Sequence, residues 1–588
     1  MCGIGGVISR DTRKIQSGSL RSMASNMAHR GPDAETTWIN DGNSAGFAHR
    51  RLSIIDISPE AGQPMHYGRR FTIVYNGEIY NYKEIRVQLL SKGVTLTTVS
   101  DTEVVVASYA AFGKDCLQLF DGMFAFAIWD DQEKELFCAR DRFGEKPFFY
   151  LHESSSGTLY FASSLQALYA YGIAHEVNTD MLLAFVAFGN TQNPNDPSVT
   201  FDKNIRRLPA AHYFIYSATS HNLEIRRYWD IDRSAKSISM AAAAEKLREL
   251  LSISIQRRLR SDVRIGMSLS GGMDSSTIAA LTATLGVKDF EAFTAVFAGF
   301  ENNEEAIARE VASKFSLRQH LVEPTTDGLV NDLERLVTMQ EEPFTSASVY
   351  AQYKVFEAAA SQGVTVLLDG QGADEVLAGY DRYRNWKIRA VFPRVTASLL
   401  EQKQRQLLKH DPYLGADLVS GFDHNAWLNK PSINSLEDLL YYDIYNGGLE
   451  ELLRYADRNS MAFGREVRLP FLNHELVDFV FGLPSSFKIG EGYTKLVLRK
   501  CMQTELPAKV TEKKRKIGFE PPQAGWMRNP GLIAIAEDSR RVLVSKGVLS
   551  EKVFTKKIEP HAAYAQNTRE WRWLIAGQWM RLKKKGSE

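Results

Sequence analysis

The sequence predicts two folds in series, a layered α+β domain with antiparallel sheets followed by an α/β doubly wound domain. Three observations predict this. At 588 residues the chain is too long for a single hydrophobic core. Up to about residue 205, short apolar runs follow one another closely between turns, as strands of antiparallel sheets do. After about residue 236, strands alternate with amphipathic helices, the pattern of βαβ units and a parallel sheet.

In the first region "GIGGVIS", "FTIVYN", "MFAFAIWD", "ELFCAR", "PFFYLHE" and "TLYFASS" read as strands. "NYKEIRVQLLSKG" and "DTEVVVASYAAFG" read as helices, the second with an aspartate where an N-cap belongs. The Asn- and Pro-rich stretch "GNTQNPNDPSV" reads as a boundary, and the connector is expected over 206–235. The second domain, over 236–540, opens on the long helix "AAAAEKLRELLSISIQRRLRS". Then come strand "VRIGMSLS", helix "SSTIAALTATLG", strand "EAFTAVF", helix "EEAIAREVASKF", strand "RQHLVE" and, after further helices, strand "VTVLLD". Residues beyond about 385 are mostly helical, and 541–588 are expected to form a C-terminal helical extension.

Composition narrows the function. Lys and Arg number 71 against 70 Asp and Glu, so no global field exists to hold a polyanion, and nucleic acid is excluded as a partner. The basic tail "RLKKKGSE" reads as a solvated end. No apolar stretch is long enough to span a bilayer and no leader is legible. The four cysteines, at 2, 116, 138 and 501, lack the short spacing of a zinc or redox pair. A cytoplasmic, reducing setting is expected.

Three stretches carry chemistry. "MCGIGG" places Cys2 behind the initiator methionine. Either this cysteine is a small apolar residue starting a strand, or removal of Met1 leaves a thiol and a free α-amine on one residue, nucleophile and base together. "SLSGGMDSS" sits at a strand-to-helix junction, where an open α/β sheet binds ligands. There Gly271 and Gly272 bring backbone N–H groups close to an anion, and Ser270 and Ser275 add hydroxyls. The Walker lysine is missing. Asp274 inside an anion site implies a cation such as Mg²⁺ shared with phosphate oxygens. "LLDGQGADEVLAGY" is a second acidic, glycine-rich turn at a strand end, with Asp369, Asp374 and Glu375, although Asp374 could simply cap a helix. In "KKRKIGFEPP" the cluster Lys513, Lys514, Arg515 and Lys516 either neutralises pyrophosphate or forms a solvated charge run.

Taken together these motifs resemble a known family. "SLSGGMDSS" resembles the pyrophosphate loop of the ATP pyrophosphatases; "GQGADEVLAGY", "SMAFGREVRLPFLNH" and "KIGFEPP" resemble the synthetase domain of glutamine-dependent asparagine synthetases. "MCGIGG", "HRGPD", "HRRLSIID", "GQPM", "YNGEIYN", "SDTE", "GMFAFAIWD" and "RDRFGEKPFFY" resemble glutamine amidotransferases whose catalytic cysteine is the mature N-terminus. The resemblance implies an N-terminal nucleophile (Ntn) hydrolase αββα sandwich over 1–205 and an ATP-pyrophosphatase domain after the connector. It implies that Cys2 is the nucleophile, that Asn76 and Gly77 form the oxyanion hole, and that Arg51, Asp101 and Glu78, with Asn76, hold glutamine. For ATP it implies Leu269, Ser270, Gly271, Gly272, Asp274, Ser275, Val296, Asp369 and Gly370, with Asp274 and Asp374 on Mg²⁺ and Lys516 on the leaving group. Implied substrates are glutamine, ATP and aspartate, and a homodimer is implied. The chain departs from the family at Gln371, where an acidic residue is common, and at Asp369, Met273 and Asn473, which often correspond to serine, leucine and aspartate; His474 does not restore the missing carboxylate. These departures leave open another carboxylate acceptor, such as a sugar acid in surface polysaccharide biosynthesis.

Overall fold

The structure is a computed structural model that describes residues 2–391, 393–428, 433–514 and 518–585. Twelve strands of the N-terminal half form two six-stranded sheets. One has the order β10-β8-β9-β1-β3-β2 and the other β12-β11-β7-β6-β5-β4. In chain order the strands are β1 (Gly3–Ile8), β2 (Ala34–Ile39), β3 (Ala45–Arg51), β4 (Met65–Tyr67), β5 (Phe71–Ile79), β6 (Gly122–Asp130), β7 (Glu135–Arg140), β8 (Phe149–Glu153), β9 (Thr158–Ala162), β10 (Arg206–Arg207), β11 (His212–Ser217) and β12 (Leu223–Arg227). Every pairing among them is antiparallel.

Facing side chains from the two sheets, among them Ile4, Phe47, Val74, Trp129, Phe161 and Phe214, fill one core. Outside it, α1 (Ser17–Asn26) and α4 (Leu165–Tyr171) cover the first sheet. Helices α2 (Tyr82–Ser91) and α3 (Asp101–Phe112) cover the second. This is an αββα sandwich. The expected connector differs from what is observed: β10, β11 and β12 all lie within 206–235 and complete the two sheets. An N-cap also moves. Ser100 caps α3 through its side chain, which releases the carboxylate of Asp101 for other partners.

The second half opens on α6 (Met240–Arg258), after the short α5 (Thr179–Phe188). Its sheet is all parallel, in the order β15-β14-β13-β16-β17, with β13 (Ile265–Ser268), β14 (Glu291–Ala295), β15 (Arg318–Val322), β16 (Val366–Leu368) and β17 (Glu466–Arg468). The chain winds outward one way from β13 and then returns to β16 on its other side. The topological switch therefore falls between β13 and β16, and a doubly wound sheet opens its ligand crevice at that point. Among the described residues, no helix is long and apolar enough to cross a membrane.

The C-terminal residues are not peripheral. In the helix Arg569–Lys585, the residues Trp571, Trp573 and Trp579 are buried in a core shared with Met181, Leu182 and Phe185 of α5. Arg572 donates to the Phe185 carbonyl at 3.3 Å and Trp579 Nε1 to the Glu341 carbonyl at 2.7 Å. A smaller apolar cluster joins the halves elsewhere, with Leu52, Ile54, Ile55, Tyr80 and Met123 meeting Val366 and Met461.

Candidate active sites

Cys2 stands at the head of β1, buried, beside β5. Its backbone nitrogen donates to Asn76 Oδ1 at 2.9 Å, and Asn76 Nδ2 points to Ser163 Oγ at 3.5 Å. Gly77 follows in the same strand, and a Cβ there would overlap the Met123 carbonyl of β6, so the close sheet packing admits only glycine. Burial pushes the Cys2 thiol up, while the Leu52 backbone and Arg51 pull it down.

Arg51 ends β3, with its guanidinium held by the carbonyls of Ser58, at 2.7 Å, and Asp56. Asp101 Oδ2 accepts from Tyr75 Oη at 2.9 Å and from the Ile79 N–H at 3.1 Å. Burial pushes the Asp101 carboxyl up to about 6, against those two hydrogen bonds. Burial, reinforced by Asp101 and Glu466, holds the Glu78 carboxyl well above its ordinary range. The first site thus sets Cys2, Asn76, Gly77 and Glu78 in one neighbourhood, with the Arg51 guanidinium and the Asp101 carboxyl nearby.

The second site forms at the switch point. After β13, Ser270 Oγ and Ser275 Oγ lie 3.2 Å apart and the Gly272 N–H donates to Ser270 Oγ at 3.2 Å. Gly271 takes a φ of +77°, which turns the loop into the N-terminus of α7 (Met273–Thr284). Leu269 is buried beneath the loop, its N–H donating to the Phe293 carbonyl at 2.9 Å. Val296, just beyond β14, is buried too. Asp369 and Gly370 follow β16 directly, and a Cβ on Gly370 would lie 2.9 Å from that of Asp274. Burial pushes Asp369 up to about 6.

Asp374 lies in the short α11 (Ala373–Leu377), whose cap is Gly372, so helix capping does not account for Asp374. Its carboxylate and that of Asp274 converge on one ammonium. Lys495 Nζ sits 2.5 and 2.6 Å from the two Asp274 oxygens and 2.6 Å from Asp374 Oδ1. Sequence reasoning missed Lys495. It is buried at a φ of 52° in a loop 221 residues from Asp274, and no spacing signals such a meeting. Two carboxylates facing one cation position beside an anion loop also fit Mg²⁺, which takes one or two carboxylates plus phosphate oxygens. Lys516 lies outside the described residues. Its neighbour Lys513 pairs with Glu304 at 2.7 Å.

Two of the family departures have local explanations. Asn473 caps the helix His474–Phe481 through Oδ1, accepting from the Leu476 N–H at 3.0 Å, a task aspartate could equally perform. Gln371 lies within the second acidic turn, with its Oε1 buried and without a hydrogen-bond partner among the described residues.

Residues 1–229 match the family model described as a glutamine amidotransferase domain, and residues 246–582 match that described as asparagine synthase. The chain is 29% identical to asparagine synthetase [glutamine-hydrolyzing] 1 of Bacillus subtilis (strain 168), covering 90% of this chain and 88% of that one. It is 30% identical to asparagine synthetase [glutamine-hydrolyzing] 3 of the same organism, covering 88% and 86%. Amidase chry2 of Gibberella zeae is 27% identical over 82% and 81% of the two chains. With an Ntn-type sandwich preceding a doubly wound nucleotide domain, and both family models matched in that order, the chain belongs to the glutamine-hydrolysing asparagine synthetase family.

Proposed function

We propose that the chain hydrolyses glutamine at Cys2 and passes the ammonia to a carboxylate activated by ATP, with aspartate as the acceptor and asparagine, AMP, pyrophosphate and glutamate as products. The observation that carries this reading is the pairing of two dissimilar sites in one chain, a buried N-terminal cysteine facing Asn76 and an anion loop facing a second acidic turn.

In the first site Cys2 Sγ attacks the glutamine amide carbon. The α-amine freed by loss of Met1, with an ordinary pKa of about 7.7 to 8.0, takes the thiol proton and returns it to the departing ammonia. Asn76 Nδ2 and the Gly77 N–H stabilise the oxyanion. Arg51 holds the glutamine carboxylate and Asp101 its ammonium, with Glu78 alongside. Water then releases glutamate from the thioester.

In the second site the acceptor carboxylate attacks the α-phosphorus of ATP, pyrophosphate leaves, and ammonia displaces AMP from the acyl carbon. Ser270, Gly271, Gly272 and Ser275 cradle the leaving pyrophosphate. Lys495 and Lys516 offset its charge, and Leu269, Val296, Asp369 and Gly370 surround the nucleoside. Asp274 and Asp374 would hold Mg²⁺, which supplies further neutralisation of phosphate charge. The apolar layer of Leu52, Ile54, Ile55, Tyr80, Met123, Val366 and Met461 runs from Leu52, whose backbone bonds the Cys2 thiol, to Val366 at the start of β16; this supports a sheltered passage for ammonia.

Gln371 Oε1, buried and without a partner among the described residues, favours a second reading, in which the same chemistry acts on another carboxylate such as a sugar acid. The test is a panel of acceptor acids scored by pyrophosphate release with ATP and glutamine. Release that depends on aspartate supports the first reading, and release with another acid alone supports the second.

The Asp101 assignment makes a pH prediction. Because its carboxyl is raised to about 6, it takes up a proton below that pH and loses the charge that holds the glutamine ammonium. The glutamine KM should be flat above about pH 6.5 and climb by about tenfold per unit below pH 6. A titration of KM from pH 5 to 8 checks it.

A further inference from the structure

The backbone of the nucleophile is held from both sides. On one side the Cys2 N–H meets Asn76 Oδ1; on the other, Arg30 Nε donates to the Cys2 carbonyl at 3.2 Å. Arg30 lies in the turn after α1, and its two remaining nitrogens form a forked pair with Asp457, Nη1 to Oδ2 at 2.9 Å and Nη2 to Oδ1 at 3.0 Å. The pair is sealed from water, with side-chain exposures of 1% and 3%. Asp457 belongs to the other half of the chain, on the helix Gly448–Met461, 427 residues away.

The next residue of that helix reinforces the arrangement. Arg458 pairs with Glu341, whose carboxylate accepts from the N–H groups of Leu165 at 3.2 Å and Gln166 at 3.1 Å and from Ser164 Oγ. Ser163, one residue before, accepts from the Ile4 N–H at 3.2 Å and from Asn76 Nδ2. Two consecutive residues of one synthetase helix therefore connect to the nucleophile strand, Asp457 through Arg30 and Arg458 through Glu341 and the segment Ser163–Gln166.

We propose that Asp457 is a positioning residue for the glutamine-hydrolysing nucleophile, acting through Arg30 on the carbonyl of Cys2. This rests on the assignment of Cys2 as nucleophile. A buried guanidinium is placed by the carboxylate that neutralises it, since leaving either partner alone in the interior is strongly unfavourable. A forked arginine–carboxylate pair also fixes direction as well as distance. The third Arg30 nitrogen then lies where the Cys2 carbonyl must be, and the carbonyl fixes the rotation of the Cys2 backbone and the aim of Sγ. The helix also leads into β17, whose last carbonyl, that of Arg468, accepts from the Asp369 N–H at 3.0 Å in the nucleotide turn.

The test uses the full chain. Asp457→Asn keeps the shape and removes the charge. The kcat for glutamine hydrolysis should fall by about tenfold to a hundredfold, the range for small misplacements of a reacting group, with the glutamine KM within about twofold. Pyrophosphate release driven by ammonium chloride should be unchanged, and Asp457→Glu should recover part of the lost kcat. The double variant Arg30→Met with Asp457→Leu leaves no lone buried charge, and should keep the ammonium-driven reaction while staying slow on glutamine. An unchanged glutamine kcat in Asp457→Asn overturns the inference, as does an equal fall in the glutamine- and ammonium-driven reactions. Cys2→Ala, run alongside, separates the two levels. If it still hydrolyses glutamine, the nucleophile assignment itself fails; if it is inactive while Asp457→Asn runs at full speed, only the role of Asp457 fails.

Discussion

Cys2→Ala is expected to abolish glutamine-dependent product formation while leaving the reaction with ammonium salts at the rate of the unaltered chain. The loss should be complete within detection, because the side chain supplies the only covalent handle on the amide and a water attack at the same carbon lacks it. The substitution is small and sits at a strand head whose backbone contacts, to Asn76 and Arg30, do not use the sulfur. Parallel assays with glutamine and with ammonium chloride, read by pyrophosphate release, check it. Intact mass should show a chain lacking Met1, because the thiol has its own amine as base only in that form.

The second large effect is expected at Lys495. Replacing it with Met should lower ATP-dependent pyrophosphate release by about a hundredfold to a thousandfold, the cost of losing one preorganised charge stabiliser. Glutamine hydrolysis should stay within about twofold, since Lys495 lies in the other half and makes its ion pairs with Asp274 and Asp374. Removing one member of a buried ion cluster also costs about 3 to 5 kcal/mol of stability, because Asp274 and Asp374 both lose the ammonium on which they converge. A lower melting temperature that recovers on adding magnesium with ATP would show both effects in one experiment.

These two sites differ in how far they can be read from residues alone. The anion loop is local: Ser270 to Ser275 carries its glycines, hydroxyls and aspartate within six positions at a strand end, so the chemistry is visible in the string. The strands of the sandwich are also local, as runs such as Phe71–Ile79 and Gly122–Asp130 announce themselves by apolar content between turns. What escapes is whatever depends on distant meetings. Lys495 reaches Asp274 and Arg30 reaches Asp457 only after folding, and an isolated lysine or arginine looks like any solvated charge. The two strands β11 and β12 escaped for another reason. They follow an Asn- and Pro-rich stretch that reads as the end of a domain, and only the ladders of β11 with β7 and of β12 with β11 show that the chain returns to the sheet. At α3 the error was a single residue. Ser100 and Asp101 are both good caps, and the choice between them decides whether the carboxylate serves the helix or points to Tyr75 and Ile79.

The helix Arg569–Lys585 closes over α5 with Arg572 and Phe185 lying 387 residues apart in the chain. Translation at about 5 to 20 residues per second separates the emergence of those two partners by about 20 to 80 s. For that interval the nascent N-terminal domain displays the greasy side of α5, Met181, Leu182 and Phe185 included, to solvent with the closing helix not yet made. Chaperone engagement on the ribosome, read by selective profiling of chaperone-bound nascent chains, should therefore begin soon after α5 emerges and end when the three tryptophans of the closing helix arrive.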